Sequence, residues 1–130
     1  MPPPNSDSGH ATAFVLGIAA ALIACLGLVY DGAQMLRTKS QLTTLAHEAA
    51  RAGAQELDAE HLRDGQLALN QPSARAAAQR HARNGGTRAL VHVDTDTVTV
   101  TLTSSYSPTL LAPLGDTDIA ARASALAHTP

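Results

Sequence analysis

Histidine is the residue type in this sequence best suited to metal binding or acid–base chemistry, and the chain contains six histidines. None of them pairs with a cysteine or a second histidine at the spacing of a metal site. His47 and Glu48 are sequence neighbours, so in a helix their side chains would point to different faces. We therefore expect solvated histidines, no metal ion and no cofactor. The six are His10, His47, His61, His81, His92 and His128.

Other groups that could support catalysis also lack a suitable framework. Asp94 and Asp96 could act as a paired acid and base, but Asp94-Thr95-Asp96 stands where a tight hairpin turn is expected. Gly85-Gly86 has neither a strand before it nor a lysine after it, so it does not predict a phosphate loop. Serines occur without a matching histidine and acid. The sequence indicates that the protein is not an enzyme.

Charge and cysteine content exclude further classes of function. The 130-residue chain has a formal net charge of −2 and no run of lysine or arginine, so nucleic acid is not an expected partner. Cys25 is the single cysteine, and the chain therefore cannot form an internal disulfide.

The elements that carry these residues begin with an apolar run from Ala11 to Tyr30, which holds twenty residues and no charge. As a helix this run spans about 30 Å, the thickness of a bilayer's hydrocarbon core. The run therefore predicts a transmembrane helix over 11–30, after a short polar tail over 1–10, with membrane lipid as a partner. Asp31 would mark the membrane boundary, and the alternative for its charge is pairing with a basic partner subunit at that depth. Small residues on one face could permit helix packing in lipid; they are Gly17, Ala21, Ala24 and Gly27.

A second interpretation of the apolar run is a lipoprotein signal. Leu22 to Cys25, "LIAC", fits the box whose cysteine becomes acylated, and Cys25 is then a candidate processing position. Against this interpretation, a basic start is missing and residues 26–30 stay apolar. An extracytoplasmic lipoprotein acting as a binding module stays an alternative, as does a small regulatory subunit of a larger membrane complex.

After Asp31 the apolar residues recur at three- and four-residue steps, which predicts an amphipathic helical stem over 31–63. The packing face of this stem is expected to include Ala46, Ala49, Gly53 and Leu57. Gly53 in a helix suggests close approach by another backbone. The remaining residues, 64–130, are predicted to form a small α+β region that starts with a helix at about 72–84.

The last third of the chain has the two-residue period of strands. Apolar and threonine residues alternate from Thr97 to Thr103, and Asp94 to Asp96 would turn the chain between antiparallel strands at about 88–93 and 97–104. Alternation from Ile119 to Ala125 predicts a third strand within 117–126. The predicted fold class is α+β, with a long N-terminal transmembrane-plus-stem helix, a short second helix and a small antiparallel sheet of about three strands packed on the stem.

The segment "GLVYDGAQ" ends the apolar run with a Gly-x-x-x-Asp pattern, and "AHEAARAGA" lies in the Ala-rich stem. These two segments resemble the membrane exit and the stem of the TadE/TadG-like family of Tad (Flp) pilus systems. With "VTVTLTSSYSPTLL" and "IAARASALA", the resemblance covers nearly the whole chain. It implies a membrane-anchored, pilin-like component of a filament assembly and secretion machine. The N-terminus would be cytoplasmic, the C-terminal region extracytoplasmic, and the partners other pilus or secretion subunits in a homo- or hetero-oligomer.

Two features depart from the pilin pattern. Gly9 is a candidate cut for a prepilin peptidase, but Phe14 stands where processed pilins carry a glutamate five residues into the mature helix. A non-polymerising or minor role follows more naturally than that of a major subunit. Arg37 and Lys39 follow the span while the first ten residues hold no lysine or arginine, so the positive-inside rule favours the opposite orientation.

Overall fold

The computed structural model describes residues 7–83 and 87–127 as a long helix joined to a small helix-and-sheet region. Helix α1 (Asp7–Ala54) is followed by α2 (Ala59–Arg63) and α3 (Gln71–Arg83). The strands are β1 (Arg88–Val93), β2 (Thr97–Tyr106) and β3 (Thr117–Leu126), in the antiparallel order β1-β2-β3. The predicted α+β class and three-stranded antiparallel sheet are confirmed. The predicted tail over 1–10 lies mostly outside the described residues, and α1 already includes Asp7.

Helix α1 has two halves with different surroundings. Its 48 residues extend for about 70 Å at 1.5 Å per residue. The first half is apolar and mostly exposed, whereas the second half packs on the inner face of the sheet and on α3. The core therefore lies between the second half of α1, α3 and the sheet.

Small side chains on the helices allow this core to be thin. Ala46, Ala49 and Ala50 of α1 are fully buried, and so are the inward residues Val98, Val100 and Leu102 of β2. Alanine lets a helix approach a sheet closely, so the branched side chains of β2 fill the space between them. The opposite face of β2 presents threonines, in agreement with the alternation in its sequence.

The stem helix ends earlier than predicted, at Ala54 instead of residue 63. Leu57 pairs with Leu69 in an isolated antiparallel bridge, and the Asp58 N–H donates to the Ala68 carbonyl at 2.9 Å. The Asp58 carboxylate then accepts the Glu60 N–H at 2.9 Å and caps the separate helix α2. A bridge to a distant residue and a local cap thus replace the helical hydrogen bonds expected here.

The hairpin between β1 and β2 turns at the predicted residues. The Asp94 N–H donates to the Thr97 carbonyl at 2.8 Å, and the Asp94 side chain accepts the Thr95 N–H at 2.9 Å. The Ala127 N–H donates to the Asp96 carbonyl, so the turn also holds the chain just after β3. Gly85-Gly86, considered above for a phosphate loop, lies outside the described residues.

Candidate functional site

The first half of α1 presents large apolar side chains to its surroundings. Phe14, Leu26 and Val29 are each about 70% exposed, and the buried residues of this half begin only at Gly27. In the described part of the chain, this helix alone is long and apolar enough to cross a membrane, by length and composition. A helix satisfies its own backbone hydrogen bonds, so such a surface is compatible with a lipid environment.

Asp31 is the only buried charged residue in residues 9–83 and 87–127, with 1% of its surface exposed. Its Oδ1 accepts the N–H of Thr109 at 3.0 Å. Its Oδ2 accepts the N–H groups of Leu110 at 2.9 Å and Leu111 at 2.7 Å. Three successive backbone N–H groups that converge on one carboxylate form an anion-binding nest, and hydrogen bonds to a charged acceptor are among the stronger ones. Asp31 therefore fixes the connection between β2 and β3 to α1.

These donors were missed by the sequence analysis, which considered the boundary position of Asp31 and pairing with a basic subunit. The donors lie 78 to 80 residues away in sequence and use backbone N–H groups, which leave no signature in residue type. The role of Asp31 as a membrane boundary stays a prediction, and its charge has partners within its own chain.

Both tyrosines of the chain lie close to this carboxylate. Tyr30 precedes Asp31 in α1, and Tyr106 ends β2. Burial raises the pKa of Tyr106 above 10.0, and the charges of Asp31 and Tyr30 raise it further. Tyrosine is enriched where a membrane surface meets water, because its ring is apolar and its hydroxyl is polar. Both tyrosines therefore lie near the end of the apolar half of α1.

The small-residue stripe on α1 meets different surroundings along its length. A Cβ added at Gly17 would meet no atom within 4 Å, and Ala21 and Ala24 are exposed. A Cβ added at Gly27 would lie 3.3 Å from Cβ of Leu110, so the connection after β2 occupies the space next to that glycine. Packing of another helix against Gly17, Ala21 and Ala24 stays a prediction.

A shallow apolar groove of about 600 Å³ lies beside the Gly27 contact. Ile23, Leu26 and Val29 line it on α1, and Leu110 lines it on the connection. The groove joins the exposed surface of the apolar half of α1 to the part of the chain that Asp31 holds.

The predicted stem-packing residues lie at or beside the core. Ala46 and Ala49 are fully buried, and Leu57 packs against the core from a partly buried position. A Cβ added at Gly53 would lie 2.9 Å from the carbonyl oxygen of Ala74 and 3.0 Å from Cγ1 of Val98. The helix therefore needs glycine where it crosses α3 and β2.

The titratable residues considered for chemistry are dispersed. His81 Nε2 lies 3.5 Å from Glu48 Oε2 and links α3 to α1, and His61 Nδ1 lies 3.3 Å from Asp58 Oδ2. Among residues 7–83 and 87–127 there is no group of three histidine, cysteine or acidic side chains that could hold a metal ion. Exposed pairs of this kind contribute little to stability. His128 lies outside the described residues.

The two candidate processing positions both lie on α1. Cys25 is an exposed thiol within the apolar half. Gly9 is exposed near the start of the helix, and an added Cβ there would meet nothing within 4 Å. Cleavage or acylation at either residue stays a prediction.

Comparison with known families gives a match on α1. Residues 9–56 match the model of a family described as "Putative Flp pilus-assembly TadE/G-like". The match covers the apolar half, Asp31 and the buried half of α1, and it ends before the sheet. The comparisons with curated proteins and with solved structures gave no match. The family match and the candidate membrane helix together support a pilin-like Tad component. Residues 9–56 of this chain are thus similar to the TadE/G-like Flp pilus-assembly family.

Proposed function

We propose that this protein is a single-pass, membrane-anchored, pilin-like component of a Tad/Flp-type pilus assembly or secretion system, with a structural role. The observation that carries the proposal is the family match over residues 9–56, which coincides with a helix whose first half is uncovered and apolar. An apolar helix of this length with exposed large side chains matches the thickness of a bilayer's hydrocarbon core.

The residues around Asp31 support the position of the membrane boundary. Twenty uncharged residues precede Asp31, and the two tyrosines of the chain lie beside it. A carboxylate near hydrocarbon is costly unless its oxygens are hydrogen-bonded, and the three N–H donors meet that requirement. The span therefore ends at Asp31, and the sheet and short helices lie on the side of the membrane to which α1 extends.

We place this folded region outside the cytoplasm on the strength of the family resemblance. Arg37 and Lys39 are the two basic residues that follow closely after the span, and they favour the reverse orientation by the positive-inside rule. Lys39 donates from its ammonium group to the carbonyl oxygen of Ala120 in β3, so one of the two charges also contacts the folded region.

A minor or accessory subunit fits better than a major one. Phe14 occupies the position at which processed pilins carry a glutamate, and its ring is 69% exposed. The expected partners are other subunits of the pilus or secretion machinery, which contact the span or the exposed face of the stem. Membrane lipid surrounds the rest of the span.

Photocrosslinking in the protein's own host tests this function. A photoreactive amino acid at Leu36, which is 73% exposed on α1 beyond Asp31, should capture Tad machinery subunits that mass spectrometry can identify. The matched control is the same amino acid at Leu90, which is 70% exposed on β1, away from the span and the stem, and should not capture these subunits. Adducts from Leu36 only with proteins of unrelated complexes would contradict the proposal. An intact mass for an acylated chain that begins at Cys25 would establish the lipoprotein alternative instead.

A further inference from the structure

The connection between β2 and β3 is apolar and exposed. From Ser107 to Gly115 it contains no charged residue, and it carries three leucines and two prolines. Leu110 is 58% exposed and Leu114 is 80% exposed. Large apolar side chains at such exposure indicate a surface that contacts something other than water.

The position of this connection points to what it contacts. Leu110 packs beside Gly27, which lies four residues before Asp31 on α1. Four helical residues correspond to about 6 Å along the axis, so Leu110 reaches roughly one turn into the proposed span. The exposed surface of Leu110 is continuous with Ile23 and Leu26 of the span through the apolar groove. Leu110 and the exposed side chains of the proposed span therefore face the same environment.

The backbone of the connection is also suited to a region without water. Pro108 and Pro113 have no N–H group. Asp31 accepts the N–H groups of residues 109–111. A 3₁₀ turn over Ala112–Leu114 follows, in which the N–H groups of Leu114 and Gly115 donate to the carbonyls of Leu111 and Ala112. Backbone donors that enter hydrocarbon need partners within the protein, and five of the seven N–H groups in residues 107–115 have one.

We propose that residues 107–115 insert into the acyl-chain region of the membrane and form a second lipid contact beside α1. This inference rests on the proposed membrane anchor. Leu110 and Leu114 enter the lipid, and Asp31 holds the connection at the required depth. Two lipid contacts at different points of the folded region fix its tilt relative to the membrane, which a single helix would leave free to rotate.

Fluorescence quenching by lipid tests the insertion directly, because the chain contains no tryptophan. The full chain carrying Leu114→Trp is reconstituted into phosphatidylcholine vesicles with or without brominated acyl chains. Leu90→Trp is the matched control, since Leu90 is 70% exposed on the outer face of β1. Phe14→Trp reports on the anchor itself. All three sites are exposed, so circular dichroism should show the same folded content for each variant.

We expect brominated lipid to remove most of the fluorescence of Phe14→Trp and Leu114→Trp and to leave that of Leu90→Trp nearly unchanged. Quenching at Phe14→Trp with none at Leu114→Trp would overturn the insertion and leave the anchor intact. No quenching at Phe14→Trp would overturn the anchor and the insertion together. Equal quenching at Leu90→Trp and Leu114→Trp would show that the folded region lies flat on lipid, which also overturns insertion by this connection alone.

Discussion

Replacing Asp31 with alanine is expected to release the β2–β3 connection from α1. The substitution removes the acceptor for the backbone N–H groups of Thr109, Leu110 and Leu111. It does not introduce a steric clash, since alanine is smaller than aspartate. The effect on the connection therefore reports on the carboxylate.

The size of the effect follows from the three hydrogen bonds. Each bond to a charged group contributes about 1.5–3 kcal/mol, so complete loss with no rearrangement would cost about 5–9 kcal/mol. The connection can move toward water and rehydrate its N–H groups. The substitution should therefore make opening of this segment easier by only about 3 kcal/mol relative to the unaltered protein. That difference corresponds to an increase of about 100-fold in the opening equilibrium of this segment. Asp31→Asn should give a smaller increase, because its one carbonyl oxygen can still accept from Leu110 and Leu111.

Hydrogen exchange in detergent micelles, read by mass spectrometry, measures this opening. A peptide that covers residues 107–115 should exchange much faster in Asp31→Ala than in the unaltered protein. A peptide from the buried part of β2 should change less, because Val98 and Val100 pack against α1 independently of Asp31. Asp116→Ala is the control, since Asp116 is an exposed carboxylate at the end of the same connection. Unchanged exchange over 107–115 in Asp31→Ala would refute the reasoning.

Two further predictions concern the stem and the short helix. Gly53→Ala should lower the free energy of unfolding by about 1–3 kcal/mol, because its Cβ would lie 2.9 Å from the Ala74 carbonyl oxygen. Gly32→Ala is the control on the same helix, because a Cβ added at Gly32 would meet no atom within 4 Å. It should raise the free energy of unfolding by up to about 1 kcal/mol through helix propensity. Equal changes in the free energy of unfolding for the two variants, measured by denaturant titration, would contradict the packing argument. The N-terminus of α2 should loosen as pH falls below 3.8, because the backbone N–H of Glu60 lowers the pKa of Asp58 below that value. A carboxylate with a depressed folded-state pKa stabilises the fold above its unfolded-state pKa and loses that contribution as pH falls through its folded-state pKa. The NMR chemical shifts of the α2 amides should change with pH as this contribution is lost in the unaltered protein, and should not do so in Asp58→Asn. A titration midpoint for Asp58 above 3.8 would contradict the effect of the cap on its pKa.

Local sequence patterns predicted much of the fold because they act over short distances. The alternation of threonine with valine and leucine specified β2, and Asp94 to Asp96 specified a turn that the structure forms with local hydrogen bonds. The end of α1 was not predictable in this way. Residues 55–63 keep a helical pattern, but pairing of Leu57 with Leu69 depends on a contact formed only in the folded chain.

In the candidate site, too, local sequence features were predictable and contacts between distant residues were not. Length and lack of charge predicted a helix over the apolar run, and Asp31 follows directly after that run. The nest around Asp31 was beyond sequence reasoning, because backbone N–H groups are present at almost every residue and only the fold selects which of them converge. Gly53 was identified as a close approach, but its neighbours Ala74 and Val98 came from the structure.

Thiol labelling in intact cells tests the central claim, a single-pass anchor with its folded region outside the cytoplasm. In a Cys25→Ala background, Ser105→Cys places a thiol at an exposed position of β2, and Gly9→Cys places one at the opposite end of the span. A membrane-impermeant reagent should label Ser105→Cys in intact cells and Gly9→Cys only after lysis. Labelling of Ser105→Cys only after lysis would contradict the proposed orientation, and labelling of both without lysis would contradict the span itself.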